Sequence, residues 1–112
     1  MHLLAEALAI ADTRREVLGE AELHRLYGEL LLQSIPDVPA AEACFQRALA
    51  VARHQQAKSF ELRAATSLAR LWQHQGKRAE AYELLAPVYG WFTEGFDTAD
   101  LQEAKTLLAA LS

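Results

Sequence analysis

Only one cysteine, three prolines and five glycines occur in this chain of 112 residues, and Val, Ile and Thr together number eleven. The lone Cys44 cannot close an internal disulfide, which suits a reducing compartment, and the cytoplasm is the expected location. So few prolines, glycines and β-branched residues leave little to interrupt helices and little to favour a sheet. Basic residues are also sparse: the formal charge is −4 and no Lys/Arg run is dense enough to track a phosphate backbone, so nucleic acid is not an expected partner. The apolar start from Leu3 to Ile10 is broken by Glu6 and followed by Asp12, Arg14, Arg15 and Glu16. It is too short to span a bilayer and lacks a cleavage site, so neither a membrane anchor nor a signal peptide is expected.

The residue types that carry chemistry are scattered. His2, His24, His54 and His74 show no HxxxH spacing and no second cysteine accompanies them, so no metal site is expected. Gly90 and Gly95 flank aromatics and form no phosphate-binding loop. Cys44 shares an apolar stripe with Ala41, Phe45 and Ala48, which reads as a packing thiol and not a nucleophile. Neither an enzyme nor a cofactor is expected on these grounds.

What the chain has in quantity is 22 alanines and 19 leucines, set at i, i+3, i+4 and i+7 in nearly every segment, the spacing that buries one stripe of a helix. The spacing predicts an all-α fold of about six helices. The first covers about His2 to Glu16, with Leu4, Ala7, Leu8 and Ala11 in line. The second covers about Glu20 to Gln33, with Leu23, Tyr27, Leu30 and Leu31. A turn at Ser34–Pro39 follows, because each proline disfavours helix at the residue before it, and Asp37 can cap the next amides. The third helix then carries Ala41, Cys44, Phe45, Ala48, Leu49 and Ala52, and loosens at His54–Gln56. Ser59 is the expected cap of a fourth, with Ala65, Leu68, Ala69 and Trp72 as its core side, ended by Gly76. The fifth opens near Lys77 with Ala81, Leu84, Leu85, Val88 and Phe92, is bent at Pro87 and stopped by Gly95. Asp97 or Thr98 caps the sixth, which aligns Leu101, Ala104, Leu108 and Leu111. Connections this short make consecutive helices antiparallel neighbours.

The helices also repeat. Ala41, Phe45 and Ala48 recur as Ala81, Leu85 and Val88 at a displacement of 40, and Gly28 and Leu31 recur as Ala69 and Trp72 at 41. Small residues and an aromatic on one helix, a glycine at the turn, then Ala and a large apolar residue on the next resemble the tetratricopeptide repeat. Leu68, Ala69, Trp72, Gly76, Ala81 and Leu85 carry that likeness best, with Glu80 beside Ala81. The first unit departs from it in having no turn glycine, and the spacing exceeds the usual repeat of about 34. More closely, ELHRL at Glu22–Leu26, GELLL at Gly28–Leu32, RAATSLARLW at Arg63–Trp72 and PVYGWFTEGFDT at Pro87–Thr98 resemble the C-terminal repeat tail of large bacterial proteins. Those proteins join a nucleotide cyclase or DNA-binding activator domain to a STAND-type signalling ATPase. The likeness covers Glu20 to Leu111 and carries over no cyclase or ATPase residue.

The resemblance implies antiparallel helix hairpins stacked as an α-solenoid over 1–112, treated as one domain. Residues 1–18 would be the second helix of a partial repeat, 20–56 and 59–95 two repeats, and 97–112 a capping helix. Leu3, Leu4, Leu8 and Ile10 are then candidates for a self-association surface giving a homodimer; the alternative is that this helix packs on the next two. The first helix of each hairpin would line a groove, placing Glu22, Arg25, Glu29 and Gln33 there from one repeat and Arg63, Thr66, Arg70 and Gln73 from the other. Arg25, Arg63 and Arg70 could hold a carboxylate of a protein or peptide partner, in another chain or another domain of the same polypeptide. The competing reading pairs them with Glu22, Glu29 and Glu61 as a solvated face. Trp91 and Phe96 are candidate contact aromatics, whereas Trp72 belongs in the core. The expected function is therefore a protein-interaction scaffold within a signalling ATPase, the alternative being a ligand-sensing regulatory module.

Overall fold

The computed structural model describes residues 19–34, 37–95 and 98–112. Among them are five helices and no strand: α1 (Glu20–Ser34), α2 (Val38–His54), α3 (Lys58–His74), α4 (Arg78–Trp91) and α5 (Ala99–Leu111). The all-α expectation holds, with five helices in place of six over these residues. The additional helix and the candidate surface Leu3, Leu4, Leu8 and Ile10 lie outside the described residues.

Each helix starts and stops for a local reason. The Asp37 side chain accepts from the Ala40 amide at 3.1 Å, capping α2 as its position after the turn predicts. Thr98 caps α5 by accepting from the Leu101 amide. Ser59 does not cap α3: the cap falls two residues earlier, at Ala57, whose side chain offers no acceptor. The helix α4 ends at Trp91, four residues before Gly95, and continues through Pro87. The ends of α2 and α3 close identically. Ala57 N donates to Ala52 O and Gln56 N to Arg53 O; at the end of the next helix Lys77 N donates to Trp72 O and Gly76 N to Gln73 O. Such paired bonds require a left-handed residue, supplied by Gln56 (φ 55°) in one turn and by Gly76 (φ 80°) in the other.

The small apolar residues decide the packing. Ala41, Phe45, Ala48, Ala65, Leu68, Ala69, Ala81 and Leu85 are all buried in one cluster, so the repeated positions are core positions. A Cβ on Gly28 would stand 2.7 and 2.9 Å from the Phe45 ring and 3.1 Å from Cys44 Cβ, so α1 and α2 meet there at glycine distance. Trp72 departs from expectation: it is only half-buried, because its indole N–H donates to Glu42 Oε1 at 2.7 Å and so keeps one edge at the surface. Leu71, its neighbour, takes the buried place.

Every consecutive pair of helices is in contact. In addition α1 touches α3, and α3 touches α5, whereas α2 and α4 do not touch. The central helix α3 therefore meets all four others, and α1, α3 and α5 stand side by side as one wall.

Candidate functional site

The wall carries a ladder of charges. It is anchored on α1 by Glu22, a carboxylate only 4% exposed, which sits one turn before Arg25 on the same helix face. Arg25 holds it with two bonds, Nε to Oε2 at 3.0 Å and Nη2 to Oε1 at 2.6 Å. Arg63 on α3 adds a third, Nη1 to Oε1 at 3.4 Å, and turns its Nε to Asp100 Oδ2 on α5 at 2.8 Å. Further along α3, Arg70 pairs with Glu103 of α5. Glu29 stands 4.0 Å from Arg25, on the open side.

These bonds push the Arg25 guanidinium above its ordinary range, chiefly through its hydrogen bond to Glu22 against the opposing effect of burial. Arg63 is raised too, first by its bond to Asp100. Raised folded values mean that both arginines contribute stability over the whole working range, lost only in strongly alkaline solution. Burial alone pushes the Cys44 thiol up, so the half-buried Cys44 is held as a neutral packing group.

Among the described residues, the wall opens into a cleft and a depression. A narrow polar cleft of about 100 Å³ lies where α1, α3 and α5 converge, among Arg25, Arg63, Thr66, Ser67, Arg70, Asp100 and Glu103. Between α3 and α5 runs a shallow, open depression of about 540 Å³, whose walls include Gln73, Gln102, Thr106, Leu107 and Ala110.

Of the eight expected groove residues, Arg25, Arg63, Thr66 and Arg70 meet at the cleft, and Arg70 continues with Gln73 into the depression. Glu22 is not a groove-surface residue but lies beneath the arginines it binds. The Thr66 hydroxyl is spent on Leu62 O of its own helix at 2.8 Å. Gln33 is exposed at the end of α1 and lines neither hollow. The arginines do pair within the chain, with Glu22 and Glu29 as one reading had it. Glu61 instead joins Arg53 and Lys58, each at 3.2 Å, away from the ladder.

The residues that sequence reasoning missed are Asp100 and Glu103. They sit one turn apart on the polar side of α5, whose apolar stripe was legible, but nothing local says which cations they will meet. Trp91 is 57% exposed, its ring edge-on to Phe92 and under Lys58 Nζ at 5.3 Å; Phe96 lies outside the described residues.

No protein-family model, curated protein sequence or solved structure matches this chain. Among the described residues no group of His, Cys, Asp and Glu is placed to hold a metal ion, and no helix is long and apolar enough to cross a membrane.

Proposed function

We propose that the chain is a stack of tetratricopeptide-like helix hairpins that holds a polypeptide segment along the α1–α3–α5 wall. The observation that carries this reading is the pattern of neighbours. Of the alternate helices, α3 touches both α1 and α5, while α2 and α4 do not touch each other. Hairpins stacked with a curve do this, crowding one set of helices on the inside and splaying the other. The displacement of 40 to 41 between buried positions supports the same reading.

The partner we propose differs from the acidic segment that three arginines suggest. Because Arg25, Arg63 and Arg70 already hold carboxylates of this chain, the recognising groups along the depression are amides, a hydroxyl and small apolar side chains. Gln73 suits the main chain of an extended, uncharged segment, to which its amide can both donate and accept, and Thr106, whose hydroxyl donates to Gln102 O of its own helix at 2.9 Å, offers only its acceptor side. In the bacterial signalling proteins whose tails this sequence resembles, that segment would belong to a separate protein or to upstream domains of the same polypeptide. No catalytic role is proposed for the wall, since its titratable groups are engaged with each other.

A ligand-sensing reading rests on one feature, the cleft shared by three helices, where a small polar ligand would touch α1, α3 and α5 together. Photocrosslinking separates the two. A benzophenone amino acid at Gln73 or Thr106, on the wall, is expected to give a discrete polypeptide adduct in the source cells, whereas one at Ala43 or Glu83, exposed on α2 and α4, gives none. Adducts from the outer positions alone would sink the wall as the binding face. Absence of adducts at all four would favour the small-ligand cleft.

A further inference from the structure

Two neighbouring hydroxyls on α3, both buried, line the polar cleft. The Thr66 hydroxyl donates to Leu62 O of its own helix. The Ser67 hydroxyl accepts from Arg25 Nη1 at a long 3.4 Å and, among the described residues, has no acceptor for its own proton. Buried donors are nearly always matched, so one left over in the wall of a cleft marks a place for a bound molecule. Arg25 points to the same spot. Its Nε and Nη2 are committed to Glu22, which leaves Nη1 with the long bond to Ser67 and with Glu29 at 4.0 Å. The opposite wall, on α5, offers acceptors: Asp100 is bound through Oδ2 to Arg63 and Glu103 through Oε1 to Arg70, so each keeps a second oxygen.

We propose that the cleft binds a small free amino acid, glycine or alanine, with its carboxylate on Arg25 Nη1 and the Ser67 hydroxyl and its ammonium on Asp100 and Glu103. Charge decides the class. Arg25, Arg63 and Arg70 stand against Glu22, Asp100 and Glu103, so the site is balanced and a lone anion or cation would leave it with a net charge. A zwitterion brings one charge of each sign to a wall of each kind. Size decides the rest: the cleft holds about 100 Å³, and since one water takes about 10 to 15 Å³ of such space, it admits a molecule of a few non-hydrogen atoms and excludes a peptide. Because α1 and α5 do not touch, a molecule held by Arg25 on one and Asp100 on the other fastens them together across α3. The proposal rests on the small-ligand reading of the cleft and is independent of a segment held along the depression.

Calorimetric titration of the full chain with glycine, L-alanine, acetate and methylammonium tests it. Glycine or L-alanine should bind, and acetate and methylammonium, which carry the two charged groups separately, should bind at least tenfold more weakly. Ser67→Ala removes the unmatched donor without breaking an ion pair and should weaken amino-acid binding about tenfold, the effect of losing one hydrogen bond to a charged group. Glu103→Gln removes a charge from the ammonium side and should weaken the amino acids while sparing acetate, with circular dichroism showing both variants still helical. Acetate binding as tightly as glycine makes the cleft an anion site, which overturns the zwitterion and leaves the small-ligand reading standing. Amino-acid binding unchanged in both variants places the molecule elsewhere and overturns the site. No binding by any of the four probes overturns the proposal, and the crosslinks from the wall then decide the small-ligand reading separately.

Discussion

Gly28 and Phe45 form the tightest contact between α1 and α2, and two opposing effects act on any change there. Alanine improves helix propensity by about 1 kcal/mol, but its Cβ would press into the Phe45 ring at 2.7 Å. Phe45 is fully buried, and overpacking of this kind typically costs about 1 to 3 kcal/mol. Gly28→Ala is therefore expected to lower the urea midpoint. Adding Phe45→Leu, which copies the combination of Ala69 and Leu85, should recover part of the loss; no recovery would mean that α1 and α2 pack differently from α3 and α4 at this position. The ladder allows a second comparison. Glu22→Ala removes a buried acceptor from two guanidinium groups, and hydrogen bonds to charged groups are worth about 1.5 to 3 kcal/mol. Glu103→Ala breaks a pair with both side chains well exposed, worth less than about 1 kcal/mol. Chemical denaturation of both variants should rank them in that order, and equal losses would refute the role given to burial.

At the scale of elements, the turns that follow α2 and α3 share one hydrogen-bond pattern but differ at the residue in the left-handed conformation. Gln56 adopts the left-handed conformation that Gly76 adopts at the next turn, and a side chain there costs about 1 to 2 kcal/mol. Gln56→Gly is expected to raise the unfolding temperature, because the bonds from Gln56 N and Ala57 N need the conformation and not the side chain. A lowered temperature would show that the glutamine side chain makes a compensating contact. The helices themselves were legible from local signals: the proline turn, the acceptor of Asp37 and the stripes from Ala41 to Ala52 and from Leu101 to Leu111 all mark real ends and buried faces. Less legible were the start of α3, which has no capping side chain, and the end of α4, which comes at Trp91, just after Gly90 and four residues before the Gly95 expected to stop it.

Across the whole molecule, α3 is the element on which the others depend. It contacts every other described helix and buries residues on most of its circumference, including Leu62, Ala65, Leu68, Ala69 and Leu71. Its mid-helix amides should therefore exchange with solvent only when the molecule unfolds globally, while amides near the ends of α1 and α5 exchange through smaller openings. Hydrogen exchange followed by mass spectrometry will show this ordering, and an α3 that exchanges as fast as α5 would contradict its central place. The sequence by itself determined that the described residues form helices, most of their bounds, and buried positions such as Ala41, Phe45, Ala81 and Leu85, because period and turn chemistry are properties of a few neighbouring residues. It did not determine which charges meet. Arg63 joins Glu22 and Asp100, partners 41 and 37 residues away, and Trp72 finds Glu42 at a separation of 30. A polar side chain on a helix has many local alternatives of nearly equal energy, and only the crossing of α1, α3 and α5 selects among them. That crossing joins three arginines, for which the sequence left a clamp and an internal pairing both open, to carboxylates of their own chain.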